Sequence, residues 1–340
     1  MNQEVIHPIS KMTEQLQQAK ILIWVSHKSI TKTTTIVNMA YCLVMQGYKV
    51  LAIDTDGSPA LQMFFEAHVE EIEKRIIKNK NKVRFLEGKG RVVSSTLLNQ
   101  IEHDEFALEN RPVVIAKSLH ELAAQIDVVK RDYAHYDYIL IDVPAKMLDA
   151  KNQPIKELKR LMSFSDLIIT PYKCDTQNTI TAVTVSDIVE NLKYDAANNG
   201  GKFTAKVRSL LAFEPSRIKA NTKAVNAKIT LTDTSTATAR LARNEQRKSL
   251  KEQDRIEQMH RQIAEFSESF GEHQKPLNVP LIFRSIYPNQ FNKGETIFTS
   301  TTESAKVAQA EFTLVVNAII EALYEPDSVE ATQTETTITI

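Results

Sequence analysis

The stretch 21–56 constrains this chain more than any other. "ILIWVS" (21–26) is a short, continuous apolar run rich in β-formers, the pattern of a strand covered on both faces. From Thr33 to Gln46 the period changes, and Ile36, Val37, Met39, Ala40, Leu43 and Val44 make a helical stripe that Gly47 stops. "YKVLAIDTD" (48–56) is again a buried-type strand. Strand, helix and strand with short joints form a βαβ unit, which predicts a parallel sheet.

The rhythm recurs in "PVVIAKS" (112–118), "YDYILIDVP" (136–144), "DLIITPY" (166–172), "VRSLLAF" (207–213) and "VPLIF" (279–283), with helical patterns such as 119–133 and 176–193 between them. The expected class is therefore α/β: a doubly wound, mostly parallel sheet flanked by helices. One domain over 20–325 accounts for the length, preceded by a polar leader (1–19) and followed by a threonine-rich, frayed tail (326–340). Two stretches exceed the minimal fold. Residues 61–111 are helical and polar and contain the basic run "KRIIKNKNKVR"; residues 234–270 are rich in opposite charges and contain neither proline nor glycine.

The joint after the first strand reads "SHKSITKTTT". A phosphate-binding loop needs backbone N–H groups converging at a helix N-terminus, a lysine for the phosphates and a hydroxyl for Mg²⁺. Lys32 and Thr33 stand where those roles require them. Asp54 and Asp56 end the second strand, and Asp142 ends the strand in "YDYILIDVP", all at the edge where α/β sheets hold ligands. Any one of these signals is commonplace, a solvated helix start or a turn acid; three strand ends agreeing in order are not. The glycines expected in such a loop are missing, in a chain with only 8 glycines among 340 residues.

With these residues in view, 20–60 resembles the opening of a ParA-type partition ATPase, in the deviant Walker A group that also holds MinD and the nitrogenase iron protein. "YDYILIDVPA", "SDLIITPYKCDTQNTITAV", "LLAFEPSRIKANTKAV" and "GETIFTSTTESAKVAQAEFTLVVNAIIEAL" resemble later ParA segments, so the similarity spans about 20–60 and 112–325. The resemblance implies ATP and Mg²⁺ as cofactors, held by the loop His27, Lys28, Ser29, Ile30, Thr31, Lys32, Thr33 and Thr34. It makes Lys32 the phosphate lysine, Thr33 the metal ligand with Asp54 and Asp142 supporting the metal shell, and Asp56 the residue that orients the attacking water. It implies a homodimer.

The departures are specific. Where the family has a lysine that reaches the partner's nucleotide, this chain has His27, and Lys28 falls one residue late; Lys28, Lys146 or Lys151 are alternative sources of that charge. The loop glycines are Lys28, Ser29 and Thr31, and each adds a Cβ where backbone must approach phosphate, worst for β-branched Thr31. Nucleotide binding is expected, with weak hydrolysis, because a trans cation of the arginine-finger kind is worth roughly 10³–10⁵ in rate. The alternative is a non-catalytic ParA-like adaptor acting through protein contacts.

Formal net charge is zero, so contact with nucleic acid needs a local patch. The segment 240–261 offers one: Arg240, Arg243, Arg247, Lys248, Lys251, Arg255 and Arg261 against four acids, at spacings that put several cations on one helical face. Non-specific DNA is the expected partner, together with a ParB-like or other protein. No apolar run reaches the roughly 18 residues of a bilayer span, the last residues form no basic amphipathic helix, and the N-terminus lacks a signal core. Cys42 and Cys174 match no metal or disulfide spacing and read as core residues. The expectation is a cytoplasmic protein, nucleoid-associated if it binds DNA, with no membrane partner.

Overall fold

The βαβ unit is present as β1 (Lys20–Trp24), α1 (Lys32–Met45) and β2 (Val50–Asp54). The computed structural model describes residues 18–26, 32–57, 59–173, 176–213, 228, 237–268 and 274–326. The chain continues through α2 (Ala60–Gly88), α3 (Ser95–Glu109), β3 (Val113–Ala116), α4 (Leu119–Asp132), β4 (Tyr138–Asp142), α5 (Lys156–Phe164), β5 (Leu167–Lys173), α6 (Thr176–Asn198) and β6 (Lys206–Phe213). Then follow α7 (Ala237–Glu268), the two-residue strands β7 (Lys275–Pro276) and β8 (Leu281–Ile282), α8 (Ile286–Phe291) and α9 (Glu303–Tyr324). The described strands form one sheet in the order β3-β2-β4-β1-β5-β6-β7, with β8 also against β6, and every pairing is parallel. This is the doubly wound α/β class expected from the sequence.

Alternation along the strands divides the core in two. Leu22, Trp24, Ala52, Leu140 and Ile169 face one layer with α1, α2 and α9, whereas Ile21, Ile23, Ile53, Ile141 and Ile168 face the other with α4, α5 and α6. Helix α1 is buried nearly all round, which its near-continuous apolar sequence requires. Gly47, at φ +90°, ends it in a conformation costly for any residue with a Cβ. Helix α9 is long and apolar enough to cross a membrane by length and composition. Here Ala308, Phe312, Val315, Val316 and Ile319 pack it into the first core layer.

The stretch 61–111 resolves into an α2–α3 hairpin, closed by Ser94, whose Oγ accepts the Leu97 N–H at 3.3 Å. Only the first half of α2 is anchored, through Leu61, Phe64, Phe65, His68, Ile72 and Ile76. Its clamp is polar. Arg75 donates through Nε and Nη2 to both oxygens of the fully buried Asp104 on α3 at 2.8 and 2.7 Å, and through Nη1 to Glu295 at 2.8 Å. His68, stacked on Phe64 and edge-on to Tyr41, lies 2.6 Å from the Gly294 carbonyl through Nδ1, which must therefore carry the proton.

Burial holds His68 down at about 4, with the Arg75 charge acting in the same sense and the Gly294 bond and Asp104 opposing. The unfolded chain, with an ordinary histidine near 6.5, binds the proton first as pH falls. Stability is thus lost between about pH 6.5 and pH 4, by about 2 kcal/mol at pH 4.5. Urea unfolding at pH 7 and 4.5 checks this: His68→Phe should lose correspondingly less than the parent over that interval. Identical profiles would place the pH sensitivity elsewhere.

Candidate nucleotide-binding site

The site lies at the C-terminal ends of β1, β2 and β4. The chain leaves β1 toward β2 on one side, while β5 occupies the other flank of β1, so this edge is a topological switch point. Lys32 opens α1 and is buried; its Nζ donates to the Val143 carbonyl at 2.7 Å and the Ser26 carbonyl at 3.3 Å, joining the ends of β4 and β1. Burial lowers its pKa, against the nearby charges of Asp142 and Asp56.

Thr33 Oγ1 donates to Asp142 Oδ2 at 2.7 Å, bringing the loop motif and the β4 acid together. Asp142 is 5% exposed, and its Oδ1 is buried with no hydrogen-bond partner. Burial pushes this carboxyl up to about 6; the Lys32 charge and the Thr33 bond pull it down, and Asp54 and Asp56 push it further up. An unpaired, buried carboxylate oxygen beside a threonine hydroxyl is a hard oxygen donor pair, and it fits Mg²⁺, which takes few protein ligands and keeps waters and phosphate oxygens for the rest. Among the described residues no three acidic, histidine or cysteine side chains converge as a preformed cluster.

Asp54 and Asp56, adjacent in the motif, are separated in environment. Buried Asp54 accepts the backbone N–H of Asp56 at 3.0 Å on Oδ1, and of Leu61 at 2.8 Å and Gln62 at 3.3 Å on Oδ2, so it caps α2. Burial raises its pKa against those three bonds. Asp56 is exposed. Thr55 between them was not singled out from the sequence, yet its N–H and Oγ1 both donate to the Asp142 carbonyl, at 3.0 and 2.7 Å, and fix the β2 end to the β4 end. Asn38 is a second such residue: Nδ2 donates to the Thr34 carbonyl at 2.8 Å and Oδ1 accepts the Ile297 N–H at 3.0 Å. A lone polar residue inside the apolar α1 stripe was the signal for it. His27, Lys28, Ser29, Ile30 and Thr31 lie outside the described residues. Lys146 and Lys151 are exposed on the loop after β4, at this same sheet edge.

A family model described as an AAA domain matches residues 19–199, just over half of the chain. The chain belongs to the ParA/MinD-type P-loop family. Solved structures similar to this ParA/MinD-type chain include an apo McdA from Cyanothece (15% identity, TM-score 0.49, covering 90% of this chain and 99% of that one). Others are the MinD cell division protein of Aquifex aeolicus (15%, TM-score 0.46, 88% and 97%) and a ParA family ATPase from Chlorobium tepidum (11%, TM-score 0.43, 88% and 98%). No curated protein matches the sequence.

The remaining sequence candidates fall as follows. The segment 240–261 lies in α7, a 32-residue helix on which Arg240, Arg247, Lys248 and Arg261 are exposed and Arg243 and Lys251 half-buried. Cys42 is a buried α1 residue whose thiol burial pushes up to about 11, a core cysteine and not a reactive one. Cys174 lies outside the described residues.

Proposed function

We propose that this chain is a ParA-like partition or cargo-positioning protein. It binds ATP with Mg²⁺ at its remodelled loop, dimerises, and associates with DNA without sequence preference through α7. The observation that carries the reading is the Thr33–Asp142 pair at 2.7 Å beside the unpaired Asp142 Oδ1, with the Lys32 ammonium at the same helix start. A relic free to drift has no reason to keep a costly buried carboxylate open on one side.

Thr33 and Asp142 would hold the Mg²⁺, which supplies charge neutralisation to the phosphates. Lys32, turned from its carbonyl partners, would meet the phosphates as a cation. Asp54 positions Asp56 through the Asp56 N–H, and exposed Asp56 would orient the attacking water. A homodimer, a ParB-like or other partner and a cytoplasmic, nucleoid-associated location complete the reading. The pseudo-ATPase alternative is favoured by how fully Lys32 and Asp54 are engaged within the protein itself.

Calorimetric titration of the full-length protein with ATP, with and without Mg²⁺, tests the proposal. Micromolar binding that weakens when Mg²⁺ is withheld is expected. Absence of heat at millimolar ATP under both conditions would leave the adaptor reading in its place.

A further inference from the structure

The α2–α3 hairpin carries a charge feature that the nucleotide site does not use. Past Ile76 the second half of α2 leaves the core, and only Asn79, Val83 and Leu86 on one side are partly covered. At 100° per residue those positions form the side turned to α3, while Lys78, Lys82, Phe85 and Lys89 lie within about 60° of arc on another side, over about 16 Å of helix. All four are exposed, Phe85 to 61%. Between Ile77 and Ile101 the chain holds six cations, Lys78, Lys80, Lys82, Arg84, Lys89 and Arg91, against the single acid Glu87. Of the six, Lys80 pairs with Glu105 at 2.5 Å; the others make no ion pair among the described residues. In a chain of zero net charge this is a strong local excess, and it is denser than that of α7, where acids interleave the cations.

We infer that the hairpin tip is a phosphate-tracking arm for double-stranded DNA. The charge complement is a polyanion with closely spaced charges, as a duplex provides at one per about 1.7 Å of axis. The exposed apolar residues, Ile77, Phe85, Val92 and Leu98, are separated along the chain by polar and charged positions and make no apolar run, so the arm lacks the apolar face that insertion into an anionic bilayer requires. The cations have no fixed geometry for base edges, and binding is therefore independent of sequence. This inference stands apart from the nucleotide reading and from α7, because the charge of the arm is set by its own residues.

The test is fluorescence anisotropy of a short mixed-sequence duplex with the full-length protein, without nucleotide, over a salt series. The parent binds, and the variant Lys78→Gln/Lys82→Gln/Lys89→Gln/Arg91→Gln binds at least tenfold more weakly at low salt, with the slope of log affinity against log salt reduced by about 3. Glu87→Gln, which cannot mimic a folding defect, binds more tightly than the parent. Equal affinities and slopes for parent and both variants overturn the arm, whatever the nucleotide titration gives. So does hairpin-dependent pelleting with phosphatidylglycerol vesicles in the absence of duplex binding. An Arg243→Gln/Arg247→Gln variant, read alongside, reports on α7 alone: its loss of binding with the hairpin variant unaffected would assign the DNA surface to α7 and overturn the arm.

Discussion

Lys32→Met is expected to lower ATP–Mg²⁺ affinity at least a hundredfold while leaving the free protein within about 1 kcal/mol of its parent stability. The affinity loss follows from deleting the Lys32 cation at the α1 start, which the proposed site turns to the phosphates, since hydrogen bonds to charged groups are worth about 1.5–3 kcal/mol each. The small stability change has a different origin. In the free protein Lys32 is a buried ammonium held by two carbonyls and by the charge of Asp142. Methionine leaves those carbonyls without a donor but removes the desolvation cost of the charge. Asp142, released from the cation that restrains it near 6, rises further and is neutral over a wider pH range. Thermal melts with and without ATP–Mg²⁺ separate the two effects; a nucleotide-induced shift as large in the variant as in the parent would refute the role given to Lys32.

Asp104→Leu is expected to cost about 3 kcal/mol or more, one of the larger single-residue effects in the molecule. Burial alone would raise the Asp104 carboxyl, but His103 at 3.8 Å, the two-pronged Arg75 contact and Gln100 hold it below its usual range. Removing it strands a largely buried guanidinium with only Glu295. The double variant Arg75→Met/Asp104→Leu should recover most of the loss, because it deletes the uncompensated charge as well. Chemical denaturation of the parent, both single variants and the double variant gives the coupling. Additive losses would mean that the pair acts only by packing.

The central strands were legible because burial on both faces leaves continuous apolar runs of β-formers. The seven expected strands each correspond to one in the sheet, trimmed at their polar ends, as with "YKVLAIDTD" shortened to Val50–Asp54. The eighth, β7, offered no such signal. It is only Lys275 and Pro276, and it is held by its neighbour: buried Gln274 accepts from Thr170 and Tyr172 and donates to Ala182 and Ser186. Hydrogen bonding of a single side chain leaves no periodicity in the sequence.

At the site, Lys32, Thr33 and Asp142 could be placed because their spacing relative to strand ends is fixed by topology. What lies between strand ends was less visible. The sequence shows two acids in "DTD", and only the structure shows that Asp54 is spent on the α2 N-terminus while Thr55 holds β4. The hairpin was legible as helical and basic, but not that half of α2 would stand clear of the core. The residues that decide this, Val83 and Leu86, look in the sequence like any other apolar helix positions.

The capping of α2 by Asp54 has a mechanical side. Twenty-nine residues of helix form a rod about 43 Å long, pinned at one end to the sheet edge that carries the Thr33–Asp142 pair and bearing the cationic tip at the other. Its fulcrum is the Arg75–Asp104–Glu295 clamp near the middle. A tilt of about 5° about that clamp displaces each end by about 2 Å, in opposite directions. The two ends of α2 therefore cannot be repositioned independently: a shift at the Asp54 end is matched at the tip by one of similar size in the opposite sense.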